Sequence, residues 1–479
     1  MIRRTILEWQ TIRYGEAADE IPVQAADRIV AIAAASPLAG QGGGGVLEYG
    51  RKQLRARGVV GVIAAEGCAM EILPKIDFPG EDGAEMTGSI RRRLVHMLAV
   101  ALDLKIDAGQ VTTLDWQQET LLEILIRLFS EKLVDAVRQG MPRRYVEHAD
   151  DLPVLRGGLD VTRQFTILAA EPSRLACRYD SLTADTALNR IMKAVARLVR
   201  IARTADNQRR LRELAFAYAD IADVPISVLR WDEVVLDRTN SRWRELLNLA
   251  RLLLGERFQT TSAGCSDGFS LLFEMNTLFE EYVARMLKRV LVDTDLRIVS
   301  QGGRLYCLET EDRRGLFQTR PDILVKRGEE VVQIIDTKWK RIAARMEDAK
   351  QGVSQGDVYQ MMAYGQLYKC DRLTLLYPHH AALKNSEGVH AVHQVTGCCN
   401  WLQTATIDIG RSEMFSERLR AITGFQRERL TAIGVTVGRI EPIVAHPSTQ
   451  TRQALAQAPE VSIAEGRGRV ILCGRATII

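Results

Sequence analysis

Residues 317 to 340, FQTRPDILVKRGEEVVQIIDTKWK, carry the pattern around which the rest of the chain is arranged. Pro321 and Asp322 open an apolar run, Ile323 to Val325, and Lys326, Arg327 and Gly328 supply a polar turn. A second β-branched run, Val331 to Ile335, ends in Asp336, Thr337 and Lys338. Two short runs rich in Val and Ile around a Gly-bearing connection predict a β-hairpin. Alternate residues of a strand share a face, so Asp336 and Lys338 point the same way, and the hairpin brings Asp322 beside them. Two carboxylates and an ammonium around one spot suit a Mg²⁺ ion with a positive group next to it.

This spacing, PD followed after thirteen residues by D-x-K, resembles the PD-(D/E)XK nuclease motif. Asp, Pro and Lys are common at strand ends and turns, so a lone D-x-K says little. The PD at a fitting distance and two apolar runs say more. Phosphodiester hydrolysis needs a nucleophilic water, neutralised transition-state charge and a stabilised leaving oxygen, and a carboxylate-bound Mg²⁺ serves all three. Asp322 and Asp336 are the expected ligands, with the Thr337 carbonyl as a candidate third. Lys338 would orient or help deprotonate the water, or stabilise the charge.

Composition is compatible with this reading and narrows it. A chain of 479 residues exceeds one ordinary core, so two or three domains are expected. Apolar content of 46% and charged content of 26% are those of a folded protein. The net charge of +4 neither demands nor excludes nucleic acid. Eight scattered cysteines (68, 177, 265, 307, 370, 398, 399, 473) form no CxxC pair, which argues against a zinc site and a disulfide framework. The start, MIRRTILEWQTIRYG, lacks an apolar signal segment, and no run approaches membrane-spanning length. A cytoplasmic protein without membrane association is expected.

The fold class expected is α/β, or α+β over the whole chain. Residues 1–110 form a β-rich N-terminal module, with a strand at 3–13, a helix at 22–36 and two strands at 59–78 turning at Glu66-Gly67. GQGGGG at 40–45 is a loop; no Lys-Ser or Lys-Thr follows it, which rejects a P-loop. Residues 111–265 form a mostly helical middle domain. Its helices include 117–139, stopped by Gly140 and Pro142, and a long basic helix from Asp185 to about Leu214. Arg190, Lys193, Arg197 and Arg200 share one face of that helix, as a solvated face or a phosphate-tracking stripe. The segment 152–182 reads as irregular or short strands.

Residues 266–445 form the nuclease domain. A helix from Leu271 to Leu291, strands at 295–300 and 304–308, the opening hairpin, a helix at 357–369 and a strand at 372–377 give an αβββαβ core. Another helix is expected at 411–432, and 446–479 is a tail. Glu280 lies on the helix before the sheet, with Glu281 as its rival because sequence leaves the helix phase open. Gln360 and Tyr364, one turn apart, form Q-x3-Y on the helix after the D-x-K strand. In the nuclease superfamily a first-helix Glu and a QxxxY pair belong to the site, which implies Glu280 as a direct or water-mediated metal ligand. Arg320 is either a phosphate contact or a surface charge.

Taken together the chain resembles the McrC family, the nuclease subunit of McrBC-type modification-dependent restriction systems. The matching pieces are GVVGVIAAEGCAMEILPKI, RRYVEHADDLPVLRGGLDV, LACRYDSLTADTALNRIMKA, EMNTLFEEYVARML, RPDILVK, IIDTKWK and DVYQMMAYGQLY. The resemblance implies a C-terminal PD-(D/E)XK domain that cleaves double-stranded DNA containing 5-methylcytosine, with Mg²⁺. It implies an N-terminal region that docks on a McrB-like hexameric AAA+ GTPase and stimulates it, and a dimer of nuclease domains is a further expected assembly. Two other readings stand beside it. One is a non-catalytic activator of the GTPase; the other is a stand-alone repair or RNA-processing nuclease, which a neighbouring GTPase gene would argue against.

Overall fold

The computed structural model describes residues 2–40, 45–78, 83–104, 119–238, 240–254, 268–342, 352–383, 387–410 and 412–424. They lie within one compact unit, Met1–Arg427. Residues 41–44 of the Gly-rich loop, residues 343–351 and everything beyond 424, the expected tail included, lie outside the described residues.

The N-terminal part contains β1 (Ile2–Leu7), β2 (Thr11–Arg13), α1 (Val23–Ala34), β3 (Leu47–Tyr49), β4 (Gln53–Ala56), β5 (Val59–Ala65) and β6 (Cys68–Leu73). The middle contains α2 (Gly83–Ala101), α3 (Leu121–Arg138), β7 (Arg144–Leu152), β8 (Gly158–Leu159), α4 (Val161–Thr166), β9 (Leu175–Thr183), α5 (Ala187–Ala196), α6 (Ala205–Ala217) and α7 (Arg244–Leu254). Then come β10 (Phe269–Glu274), α8 (Met275–Val290), β11 (Leu296–Ser300), β12 (Tyr306–Glu309), β13 (Gly315–Gln318), β14 (Ile323–Arg327) and β15 (Glu330–Thr337). The described chain closes with α9 (Gln355–Tyr368), β16 (Arg372–Pro378), β17 (Gly388–Gln394), β18 (Trp401–Ile407) and α10 (Ser412–Thr423). The architecture is mixed α/β.

Two sheets matter for the site. The first runs β1-β6-β5-β10, and the second runs β11-β14-β15-β16-β18-β17. In the second, β14 and β15 pair antiparallel, and β15, β16 and β18 run parallel. Helix α9 makes the crossover from β15 to β16, as a parallel pair requires. The turn between β14 and β15 is tighter than the sequence suggested. Lys326 and Arg327 remain in the strand, and Gly328 takes φ +58°, a value that glycine adopts without steric cost. Gln333, Ile334 and Ile335 are wholly buried, because β15 lies inside the sheet.

Several expectations need correction. The helix expected from Leu271 begins only at Met275; residues 269–274 are a strand, antiparallel to β5 with Leu271 opposite Val62. Gly61 makes this pairing possible, since a Cβ there would lie 1.9 Å from the Leu271 carbonyl oxygen. A strand from beyond residue 266 therefore completes the N-terminal sheet. The segment 152–182 is framed by a long hairpin, β7 with β9, that begins at Arg144. The strand expected at 304–308 is not in the main sheet; it pairs with β13 as a separate two-stranded ribbon. Strands β17 and β18 escaped the sequence reading.

The long basic helix is two helices. Buried Glu123 of α3 interrupts it: its carboxylate accepts hydrogen bonds from the Arg203 and Thr204 amides, the Thr204 hydroxyl and Asn207 Nδ2. A carboxylate at the start of α6 meets the unpaired amides there, and that interaction outweighs continuing the helix. Three of the four stripe cations have partners within the molecule, and the side chain of Arg200 lies outside the described residues. Arg190 forms a two-pronged pair with Asp185, Lys193 donates to the Ile221 carbonyl, and Arg197 pairs with Asp223 at 2.7 Å.

One core unites the middle helices, α8 and the inner face of the second sheet, from Val60 to Ile422. No helix among the described residues is long and apolar enough to cross a membrane.

Candidate metal-dependent hydrolytic site

Asp322 precedes β14, and Asp336, Thr337 and Lys338 end β15. Register pairs Ile323 with Ile335, which sets Asp322 beside the end of β15. Asp322 Oδ2 accepts hydrogen bonds from the Thr337 amide at 2.8 Å and the Thr337 hydroxyl at 3.0 Å. Thr337 thus orients Asp322 through its amide and side chain. Lys338 Nζ lies 2.6 Å from Asp336 Oδ2, and its backbone amide donates to the Leu376 carbonyl of β16. Asp336 is 1% exposed, and its Oδ1 is buried without a hydrogen-bond partner among the described residues.

Helix α9 supplies the other wall. Lys338 Nζ donates to Gln360 Oε1 at 3.3 Å, and Gln360 Nε2 donates to the Tyr364 hydroxyl at 2.8 Å. The Q-x3-Y pair therefore extends the hydrogen-bond chain of the D-x-K lysine. The helix phase left open by sequence is settled by neighbours: Glu281 lies 3.7 Å from Arg285, whereas Glu280 feels the charge of Asp322. One carboxylate oxygen of Glu280 is also buried and without a partner among the described residues.

The electrostatics follow from burying acids together. Burial, then repulsion by Asp322, pushes Asp336 up to about 6. Burial, then the same Asp322 charge, pushes Glu280 up to about 7. Asp322 is raised chiefly by burial, partly offset by the Thr337 amide and Lys338. Burial draws Lys338 down, but Asp336, Asp322 and Asp357 outweigh it, and its pKa lies above the ordinary lysine value. The lysine is thus an ammonium held against carboxylates. Excess buried negative charge with unpartnered oxygens is what a cation would relieve.

The donor set fits a hard divalent cation in kind, since carboxylates and a carbonyl are the ligands Mg²⁺ takes. Among the described residues, no group of three or more His, Cys, Asp and Glu is gathered closely enough to hold a metal by itself. A cation here would rest on Asp322 and Asp336, with backbone and water completing its shell.

Three residues of the surroundings escaped the sequence reading. Gln301, at φ +49°, donates its amide to the Asp322 carbonyl at 2.8 Å and reaches both Arg320 and Glu280 with its side chain. Arg320 is thereby tied down beside the site. The only cue was the turn sequence SQGG after a strand. Asp357, one turn before Gln360, pairs with Lys340. Glu8, 1% exposed, accepts from Trp339 Nε1 at 2.7 Å and from the Lys75 amide at 3.0 Å. It ties the first strand of the chain to the residue after Lys338, a link no local pattern announces.

A family model described as McrBC 5-methylcytosine restriction system component matches residues 54–378. A chain of a solved structure described as the refined half-complex from a tetradecameric assembly of Thermococcus gammatolerans McrB AAA+ hexamers with bound McrC is similar in fold. Its identity is 22% and its TM-score 0.64, over 88% of this chain and 99% of that one. A chain of the Thermococcus gammatolerans McrBC complex, solved by cryo-EM, is 26% identical with a TM-score of 0.49, over 60% of this chain and 88% of that one. No curated protein matches.

Proposed function

The chain belongs to the family of McrBC 5-methylcytosine restriction system components, and from that premise we propose that it is the Mg²⁺-dependent DNA endonuclease subunit of such a system. The observation that carries the reading is Asp336: a buried carboxylate with one unpartnered oxygen, its other oxygen against Lys338, and Asp322 beside it. In this reading Asp322, Asp336 and the Thr337 carbonyl would hold the metal, with Glu280 a direct or water-mediated ligand. The metal supplies Lewis-acid charge neutralisation at the phosphate. Lys338, kept as an ammonium, stabilises charge on the non-bridging oxygens. Gln360 and Tyr364 hold Lys338 in place, and the PD-(D/E)XK core is the scaffold.

The partner belongs to the same proposal. The half-complex similar in fold contains McrB AAA+ hexamers, and a McrB-like GTPase hexamer is the partner proposed here, docked through residues 1–110. The substrate is double-stranded DNA carrying modified cytosine, and dimerised nuclease domains would cut both strands. The test is cleavage of methylated and unmethylated DNA, with and without the co-expressed GTPase, in Mg²⁺ and in EDTA. Wild-type chain should cut only with partner, metal and methylated DNA. Asp336→Ala should lose cleavage and keep GTPase stimulation; cleavage at the parental rate by this variant would remove the site assignment.

A further inference from the structure

The ribbon of β12 and β13 is unlike the rest of the molecule. Every residue of β12 is exposed, and neither strand joins the main sheet. Isolated two-stranded ribbons are marginal in water, and this one displays Tyr306, Leu308, Leu316 and Phe317, the last 73% exposed. Phe317 also holds φ +54°, a region costly for a bulky side chain and one that persists where surroundings impose it.

The ribbon is nevertheless held firmly. Tyr306 lies over Gly315, where a Cβ would come within 2.3 Å of its ring. At the base, the Thr319 amide donates to the Leu305 carbonyl at 2.6 Å. The Thr319 and Tyr368 hydroxyls share a hydrogen bond of 2.8 Å, and Tyr368 stands edge-on to Tyr364 of the lysine-holding pair. From Gln318 the chain runs through Thr319, Arg320 and Pro321 directly into Asp322. The ribbon is thus tied to the segment that carries Asp322 and to α9, which carries the lysine-holding pair.

We propose that this ribbon is a DNA-contacting arm that seats the duplex over the site, with Arg313 and Arg314 at its turn reaching phosphates and Phe317 packing against the nucleic acid. The inference rests on the nuclease reading. A two-stranded ribbon is one of the two elements that the major groove of B-DNA admits. Neither Arg313 nor Arg314 makes an ion pair among the described residues, unlike the stripe on α5. Glu309, Glu311 and Asp312 share the ribbon, so its grip depends on where the two arginines reach rather than on net charge. A second copy of the chain is a poorer fit. Tyr306 and Leu308 share one face while Cys307 and Glu309 share the other, and Glu311, Asp312, Arg313 and Arg314 put four charges at the turn beside them, which an apolar contact between copies would have to desolvate.

The test is binding of a fluorescent duplex by the full chain in EDTA, across a salt series. Arg313→Gln with Arg314→Gln should reduce the slope of log affinity against log salt by about 2. Phe317→Ala, which removes only an exposed side chain, should weaken binding about tenfold at unchanged slope. Variants that bind like the parent overturn the proposal. So does a parent that binds no duplex, or a Phe317→Ala change confined to molar mass in light scattering, which would assign the ribbon to self-association. Cleavage in Mg²⁺ is scored separately: if Asp336→Ala abolishes it while the ribbon variants bind normally, the nuclease reading stands and the arm alone falls.

Discussion

Replacing Asp336 with Asn should make the metal-free protein more stable while destroying its activity. The carboxylate is 1% exposed and held at about 6 against an ordinary 3.8. At 1.36 kcal/mol per pKa unit, ionising it in the fold costs roughly 3 kcal/mol. Asn removes that cost, which is already net of the attraction to Lys338 2.6 Å away, so the gain at pH 8 is roughly 3 kcal/mol. A carboxylate raised in the folded state contributes stability that is present below pH 3.8 and lost as pH rises through about 6. The advantage of Asn should therefore be small near pH 4.5 and complete by pH 8. Urea unfolding in EDTA at both pH values measures it, and cleavage with Mg²⁺ and partner should fall by at least about a thousandfold. A variant less stable than its parent at pH 8, or equally favoured at both pH values, refutes the picture of a carboxylate kept at a stability cost for a cation.

Four further outcomes are expected. Adding Mg²⁺ at pH 8 should raise the melting temperature by roughly 2 °C at tenfold excess over Kd, and much less in Asp336→Asn; an equal rise in both would place the ion elsewhere. Tyr364→Phe removes the hydroxyl that Gln360 donates to and should lower the cleavage rate by about tenfold with partner binding intact, as single-turnover kinetics would reveal. Trp339→Phe deprives buried Glu8 of a donor and should cost about 1–3 kcal/mol in urea unfolding. Glu71→Ala removes the acceptor shared by Arg91, Thr5 and the Leu121 amide; a loss of roughly 3–5 kcal/mol is expected, and a change under about 1 kcal/mol would mean that this buried pair contributes little.

Much of the candidate site was legible because its parts lie on short, regular elements. Asp322, Asp336 and Lys338 flank a hairpin whose register follows from two apolar runs, and Gln360 with Tyr364 needs only helical spacing. Local pattern failed where a distant group decided the conformation. Residues 271–274 read as the start of a helix because Leu271, Leu272 and Phe273 run on into the helical pattern that follows; pairing with β5 across about two hundred residues makes them a strand. The break between α5 and α6 depends on Glu123, some eighty residues away. Helical spacing placed the basic stripe as a solvated face or a phosphate-tracking surface, but it could not show that Asp185, Asp223 and the Ile221 carbonyl pair with Arg190, Arg197 and Lys193.

By itself the sequence determined the chemical inventory: the PD and D-x-K groups, their spacing, the Q-x3-Y pair, and a family likeness that the match over residues 54–378 bears out. Only the tertiary structure decided that Glu280 rather than Glu281 approaches Asp322, that Gln301 and Glu8 brace the site, and that the ribbon stands apart from the sheet. The physical reason is range. Strand alternation and helical periodicity act over a few residues and are written locally, whereas burial, the repulsion between gathered carboxylates and the choice of hydrogen-bond partner exist only once distant segments meet.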